Sequence, residues 1–107
     1  MDPVVELLWW EECPSWERAL ETLRVEMDAA GIDPSALAVT EIETEEDAGR
    51  QGFPGSPTIR VRGRDIQPPG PDQPIGLTCR VYRRRDGRVS PLPDPEDIRD
   101  ALREVVR

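Results

Sequence analysis

The chain has 107 residues, enough for one small domain with a single core. Its 22 acidic and 14 basic residues give a net charge of −8, which disfavours binding to the phosphate backbone of nucleic acids. Every basic residue is an arginine and histidine is absent, so histidine-dependent catalysis, histidine metal sites and lysine Schiff bases are excluded. Two cysteines alone cannot complete a structural zinc site. We therefore expect no cofactor and no resident metal.

Charge is distributed unevenly along the chain. Residues 1–57 hold 14 acidic residues and 3 arginines, a net charge of −11, whereas residues 58–107 hold 8 acidic residues and 11 arginines, a net charge of +3. Two solvated faces of opposite sign explain this division, and a surface for a charged partner is the alternative. The run Arg83–Arg85 is typical of a solvated turn, and we assign it no role in binding nucleic acid.

The sequence also indicates in which cellular compartment the protein is expected. It contains no apolar run of about eighteen residues, so we expect no membrane-spanning helix and no membrane partner. The first residues, Met1-Asp2-Pro3, carry no basic charge ahead of the apolar run that follows, unlike a secretory signal. We therefore expect a cytoplasmic protein.

The first predicted strand is the apolar run Val4–Trp10, whose β-branched start and short length suit a buried strand. Pro14 is favoured at the first position of a helix, which would place Cys13 at the N-cap. An apolar stripe follows at helical spacing, and Gly31 suits the end of the helix. The stripe consists of Trp16, Leu20, Leu23, Met27 and Ala30.

Two further predicted strands flank a short helix. Leu37–Ile42 is apolar and partly β-branched, and Thr44 begins a capping box for a helix that runs to about Gln51. Thr58–Arg62 alternates in the manner of a half-buried strand. Residues 63–76 contain four prolines and three glycines and are predicted as a loop.

The last predicted elements are a strand, Leu77–Arg83, and a helix capped by Asp94. The apolar face of that strand carries Leu77, Cys79 and Val81. The residues that the helix directs inward are Ile98, Ala101, Leu102 and Val105. The order β-α-β-α-β-β-α predicts an α/β fold in one domain over residues 1–107, with a four-stranded mixed sheet and helices on both faces.

Three features resemble the thioredoxin-like superfamily. The pair Cys13-Pro14 stands where the first strand meets the first helix, and Gly55-Ser56-Pro57-Thr58-Ile59 resembles the cis-proline segment of that family. The predicted order of elements matches over almost the whole chain. Within the superfamily the chain resembles short bacterial thioredoxin-family proteins labelled as related to alkylmercury lyase. They share Cys-Pro, Ser-Pro-Thr-Ile and a late Cys-Arg-x-Tyr, here Cys79-Arg80-Val81-Tyr82.

The resemblance implies a thioredoxin-like fold with a cis bond between Ser56 and Pro57, facing Cys13. It also implies a substrate-docking site at Ser56, Pro57 and Thr58, where an extended partner adds as a strand. Proline lowers the cost of a cis bond to about 0.5–1 kcal/mol. A purely structural turn is the alternative.

The sequence departs from redox-active thioredoxins at one position. Their Cys-x-x-Cys motif is replaced by Cys13-Pro14-Ser15-Trp16, so a disulfide cycle within the motif is impossible. Trp16 occupies the position of the resolving thiol. The site is therefore expected to use one thiol, or to take its second thiol from elsewhere in the chain.

Cys13 is the candidate nucleophile. Unpaired N–H groups at a helix N-terminus favour a thiolate, which is the reactive form of cysteine. Glu11 and Glu12 oppose a further negative charge, so an inert, buried Cys13 is the alternative. We expect Ser15 to donate a hydrogen bond to the sulfur, and either Trp9 or Trp10 to line an apolar groove beside it while the other packs in the core. The expected docking site also includes Trp10, Trp16 and Ser15.

Cys79 has two interpretations. In the predicted strand it is a small buried hydrophobe. Alternatively it resolves Cys13 in a reversible disulfide, or both thiols hold a soft metal ion such as Hg(II) or Cu(I). A disulfide requires the two Cα atoms to lie within about 7 Å. The early position of Cys79 in the predicted fourth strand argues against that distance.

The leading hypothesis is a thioredoxin-like thiol protein in which Cys13 attacks a disulfide, persulfide or soft-metal electrophile along the Pro57 edge. Turnover would use Cys79 or an external thiol, so the expected partner is a small thiol or a protein that bears a thiol or disulfide. The second hypothesis is a non-catalytic binding module, favoured by the missing second cysteine of the motif. The third, implied by the resemblance alone, is a mercury-related activity, which also needs an acid to protonate carbon.

Overall fold

The computed structural model describes residues 3–105 of the chain. Its regular elements, in chain order, are β1 (Val5–Trp9), α1 (Trp16–Ala29), β2 (Leu37–Glu41), α2 (Glu45–Gln51), β3 (Thr58–Val61), β4 (Arg64–Asp65), β5 (Tyr82–Arg83), β6 (Val89–Ser90) and α3 (Pro95–Arg103). One turn of 3-10 helix, Pro34–Ala36, precedes β2. Met1 and Asp2, which contributed to the expectation about secretion, lie outside the described residues.

Four strands form a mixed sheet in the order β2-β1-β3-β4. The central strand β1 is parallel to β2 and antiparallel to β3, so Leu7 is paired with Val39 on one side and Ile59 on the other. β3 turns back into its antiparallel partner β4 through Arg62 and Gly63, whose φ angles are 51° and 79°. β5 and β6 form a separate two-stranded antiparallel ribbon.

The core is divided between the two faces of the sheet because side chains alternate along β1. Leu7 packs on one face with Leu23 of α1 and Ile98 of α3. Leu8 faces the other side and packs in a second cluster with Ala48 of α2. The helices therefore lie on both faces. The predicted mixed α/β fold with a four-stranded sheet and three helices is confirmed.

The capping signals of α2 and α3 are confirmed. The Thr44 hydroxyl accepts a hydrogen bond from the Asp47 N–H at 3.0 Å, and the Asp94 carboxylate accepts one from the Glu96 N–H at 3.0 Å. The inward face predicted for α3 is also found. Ile98 and Leu102 are fully buried, and Ala101 and Val105 are partly buried against the same cluster.

α1 begins later than predicted. Its first residue is Trp16 and its N-cap is Ser15, so Cys13 and Pro14 belong to the preceding turn. The predictions that Cys13 is the N-cap and Pro14 the first helical residue are wrong. Proline fits an N-terminal turn equally well, since its missing N–H is unneeded there too. The first three strands are each one or two residues shorter than predicted.

The buried face of α1 matches the predicted stripe in part. Leu23 and Met27 are buried, but so are Ala19 and Glu26, which the apolar pattern did not include. Glu26 is tolerated there because its two carboxylate oxygens accept hydrogen bonds from Arg99 of α3 at 3.0 and 3.3 Å. This pair joins the two helices on that face of the sheet.

The predicted fourth strand, Leu77–Arg83, is wrong. The fourth strand of the sheet is β4, which lies in the region predicted as a loop, and only the last two residues of the predicted strand form β5. Its predicted inward face is wrong as well. Val81 is 62% exposed and Cys79 is exposed, whereas Arg80 and Tyr82 are buried at 3% and 0% exposure.

Within residues 3–105, no helix is both long enough and apolar enough to cross a membrane.

Candidate functional site

Cys13 lies in the turn between β1 and α1 and is 1% exposed. Its N–H donates to the Trp10 carbonyl oxygen at 3.1 Å and so closes the turn. Ser15 forms no side-chain capping hydrogen bond. The Cys13 sulfur, which we expected to accept a hydrogen bond from Ser15, instead donates one to the Ser56 carbonyl oxygen at 3.3 Å.

The loop opposite Cys13 contains a cis bond between Ser56 and Pro57, as the resemblance implied. Ser56 is fully buried, and it is tied to the Cys13 turn through two of its oxygens. Its hydroxyl oxygen accepts the Trp10 N–H at 2.9 Å, and its carbonyl oxygen accepts the Cys13 thiol. The loop is therefore fixed directly to the turn that carries Cys13.

The backbone of Ser56 is also paired with a distant part of the chain, residues 77–83, which we name the Cys79 segment. The Ser56 N–H donates to the Thr78 carbonyl at 2.8 Å, and the Ser56 carbonyl accepts the Arg80 N–H at 2.9 Å. These two bonds form a parallel bridge that sets Cys79 opposite Ser56. Paired backbones lie about 4.8 Å apart. The chain itself thus occupies the edge at which the resemblance implied docking of a partner strand.

Both cysteines lie against Ser56, because the Cys13 sulfur is bonded to its carbonyl oxygen and Cys79 is paired with its backbone. The pKa of the Cys79 thiol is raised, first by desolvation and then by a hydrogen bond and a charge interaction with Cys13. The structure therefore brings together the two cysteines that the predicted fourth strand kept apart. The reason is that residues 78–80 pair with Ser56, ahead of β3, instead of running beside β3.

Arg80 is the main anchor of the Cys79 segment. Its buried guanidinium forms two hydrogen bonds with the Asp65 carboxylate, at 2.6 and 3.0 Å. It also donates to the Thr58 hydroxyl at 3.3 Å and to the Gln67 carbonyl. The guanidinium carbon lies 4.4 Å from the centre of the Tyr82 ring. Burial of this charge is offset by a nearly complete set of partners.

Tyr82 is the second anchor. Its hydroxyl donates to the Pro57 carbonyl oxygen at 2.6 Å, so the segment is bonded to both residues of the cis peptide. Burial is the main reason that the pKa of this phenol lies well above its usual range. The Gln67 side chain bonds both the N–H and the carbonyl of Arg83, each at 2.8 Å. The segment is thus held along its whole second half.

The residues that sequence reasoning missed are these anchors. The motif Cys-Arg-x-Tyr, which carried part of the resemblance, includes both Arg80 and Tyr82 and was the available signal. A second signal was Gly55, which has a φ of 132° and lies so close to Arg80 that an added β-carbon would be 3.1 Å from the Arg80 Cα. Thr58, predicted as a docking residue, is buried and donates to the Gly55 carbonyl at 2.7 Å.

The tryptophans take separate positions. Trp9 and Trp16 stack with ring centres 3.9 Å apart and an angle of 18° between the planes. Trp10 lines a groove of about 580 Å³. The groove that we expected to be apolar is acidic, and its other lining residues are Glu11, Glu12, Glu41, Ile42, Glu43 and Leu77. The pKa of Glu41 is raised by desolvation, then by the charges of Glu43 and Glu11.

Among the residues from 3 to 105, no group of three or more histidine, cysteine, aspartate or glutamate side chains is placed to hold a metal ion. Comparisons of the chain with protein-family models, with curated proteins and with solved structures found no match.

Proposed function

We propose that this chain is a thioredoxin-like thiol protein that undergoes thiol–disulfide exchange through Cys13 and Cys79. The observation that carries the proposal is that both cysteines lie against Ser56, Cys13 through the hydrogen bond of its sulfur and Cys79 through the backbone bridge. The strand order β2-β1-β3-β4 and the cis bond at Pro57 support the thioredoxin-like assignment. Cys79 would then supply the second thiol that the motif lacks at Trp16.

The exchange interconverts a dithiol and a disulfide. Cys13 and Cys79 together release two electrons and two protons as the sulfur–sulfur bond forms. A low-molecular-weight disulfide accepts them and becomes two thiols. The reverse reaction with two small thiols restores the dithiol. We also propose the cytoplasm as the compartment, because its thiol pools keep such a cysteine pair reducible.

The surroundings of the two sulfurs support closure by Cys13. The Ser56 carbonyl accepts both the Cys13 thiol and the Arg80 N–H, so one oxygen aligns the turn and the segment that carry the two sulfurs. The attack that forms the disulfide requires the two sulfurs to approach each other, and the contacts of both cysteines with Ser56 hold them close together.

Redox mapping tests this function. The reduced protein is equilibrated in glutathione buffers of graded oxidised fraction, free thiols are blocked, and linked peptides are identified by mass spectrometry. We expect a Cys13–Cys79 linkage that grows with the oxidised fraction, reverses on reduction and is independent of protein concentration. The Cys79→Ser variant is the matched control without the linkage. Alkylation of both cysteines at every buffer ratio contradicts the proposal.

Soft-metal capture by the same pair is the second candidate, favoured by the placement of both cysteines against Ser56. Titration of the reduced protein with Hg(II), followed by the ultraviolet absorbance of the metal–thiolate bond, should reach one ion per chain. The Cys79→Ser variant should bind more weakly. Equal binding by both proteins contradicts a shared site. Cleavage of a carbon–mercury bond would in addition need an acid beside the sulfurs.

A further inference from the structure

The two cysteines differ in what can reach them. Cys13 is 1% exposed, and its sulfur is bonded to the Ser56 carbonyl, whereas Cys79 is exposed. In thiol–disulfide exchange the attacking sulfur must touch the sulfur that it attacks. Cys79 is therefore the more accessible cysteine for an external disulfide, while Cys13 first has to be uncovered.

Moving the Cys79 segment away from Ser56 and the Cys13 turn requires the loss of many bonds together. Lifting the Cys79 segment off Ser56 breaks the backbone bonds of Thr78 and Arg80 to that residue. It also pulls on the buried ion pair of Arg80 with Asp65 and on the hydrogen bond from Tyr82 to Pro57. Because these contacts fall within a few consecutive residues, they are lost or kept as a unit. The folded protein thus presents Cys79 and conceals Cys13.

We propose, resting on the function above, that exchange with external disulfides begins at Cys79 and that Cys13 acts second, inside the protein. First, the Cys79 thiolate attacks a small disulfide RS–SR. The sulfur–sulfur bond of the disulfide breaks, a Cys79–SR bond forms, and RS⁻ leaves and takes up the proton that Cys79 gave to solvent. Next, Cys13 gives its proton to solvent and its thiolate attacks the Cys79 sulfur. The Cys79–SR bond breaks as the Cys13–Cys79 bond forms, and the second RS⁻ leaves and takes up that proton. The dithiol is oxidised and the disulfide is reduced to two RSH. This order is the reverse of that expected from the sequence, where Cys13 reacts first.

The same geometry defines the class of disulfide. A protein segment cannot add as a strand at Ser56, since the N–H and the carbonyl of that residue are already bonded to the chain itself. A small disulfide needs no such docking. The groove that reaches Leu77, two residues before Cys79, is lined by four glutamates. Cystamine, a small disulfide with two ammonium groups, is therefore a suitable probe.

The order is tested with two variants that each keep one thiol. Reduced Cys13→Ser and Cys79→Ser are mixed separately with excess cystamine at neutral pH, and the mixed disulfide is followed by intact mass. A serine hydroxyl at position 13 can keep the hydrogen bond to the Ser56 carbonyl, which protects the fold. The same reactions in concentrated urea report the reactivity of each thiol when both are fully accessible.

We expect Cys13→Ser to accumulate a stable mixed disulfide at Cys79. Modification of Cys79→Ser at Cys13 should be slower by about tenfold or more, because it waits for local opening, and the difference should vanish in urea. Equal or faster modification of folded Cys79→Ser overturns the order while leaving the proposed function intact. Failure of the wild type to form the internal disulfide overturns the function itself.

Discussion

The two regions that position the thiols are held together by different means. Around β1, the residues that pack α1 and α3 on the sheet are apolar and fully buried, among them Leu7, Leu23 and Ile98. Around the Cys79 segment, the buried groups are polar, and Arg80 and Tyr82 are held by directional bonds. Apolar packing thus supports the turn of Cys13, while a few polar contacts determine where Cys79 lies. Stability and thiol geometry should therefore respond to different substitutions.

The largest effect is expected from Arg80→Ala. It leaves the Asp65 side chain, which is 12% exposed, without its buried partner, and the free energy of unfolding should fall by about 3–5 kcal/mol. Urea denaturation measures this change. The yield of the Cys13–Cys79 disulfide in a fixed glutathione buffer should fall as well. The control is Arg83→Ala, at an exposed arginine of the same segment, and its effect should stay within about 0.5 kcal/mol. Equal effects of the two variants would refute the anchoring role of Arg80.

Leu23→Ala tests whether the apolar packing around β1 affects stability without affecting the position of Cys79. This side chain is fully buried between α1 and the sheet, so its truncation should cost about 2–5 kcal/mol in the free energy of unfolding. In the folded protein, however, the yield of the Cys13–Cys79 disulfide should equal that of the wild type. The measurement is the same glutathione equilibration, made under conditions where the variant stays folded. A parallel loss of disulfide would show that the two regions do not act separately.

A smaller effect is expected from Tyr82→Phe. The variant loses the hydrogen bond to the Pro57 carbonyl, and unfolding free energy should fall by about 1–2 kcal/mol. Because the folded-state pKa of Tyr82 is raised, the stabilisation is complete below the ordinary tyrosine value of 10.0 and is lost as pH rises above it. The chain has one tyrosine, so an ultraviolet titration reports it alone. Ionisation of the folded wild type near pH 10 would contradict the burial of this phenol.

The smallest effect is expected from Asp94→Ala, at the residue that precedes α3. Asp94 caps α3 and accepts the Arg85 N–H at 3.0 Å, and these backbone bonds lower its pKa. Truncation should cost about 1 kcal/mol at neutral pH. A lowered pKa stabilises the folded state above the ordinary value of 3.8, so the difference from wild type should shrink as pH falls below that value. Asp72→Ala, in an exposed loop, serves as the control. A difference that grows in acid would reverse the assigned sign.

The sequence predicted the elements whose signals are local. Thr44 and Asp94 cap their helices, and Gly31 follows the end of α1, because each choice depends on residues a few positions away. The Cys79 segment was mispredicted because its local pattern favours an apolar face through Val81. The partners that bury Arg80 instead belong to β4 and to the cis-proline loop. Those partners lie more than ten residues away in the sequence, so a local pattern around Arg80 cannot include them.

The candidate site was predicted in part for the same reason. The resemblance implied that Cys13 faces Ser56 and Pro57, and the hydrogen bond of the Cys13 sulfur to Ser56 agrees with that placement. The closeness of Cys79 was only an alternative, against which the predicted fourth strand argued, since it depends on a backbone bridge between Ser56 and a residue distant in sequence. Spacing along the chain carries no information about such a bridge until the path of the intervening loop is known.

The stacked indoles of Trp9 and Trp16 provide an intrinsic spectroscopic signal for the position of the Cys13 turn. They stand on either side of the turn that carries Cys13, and their ring centres are 3.9 Å apart. Two aromatic chromophores in contact couple electronically, so a shift of the turn alters the near-ultraviolet circular dichroism. A stopped-flow trace would then separate a silent first encounter with cystamine at Cys79 from the later closure at Cys13, without any dye attached.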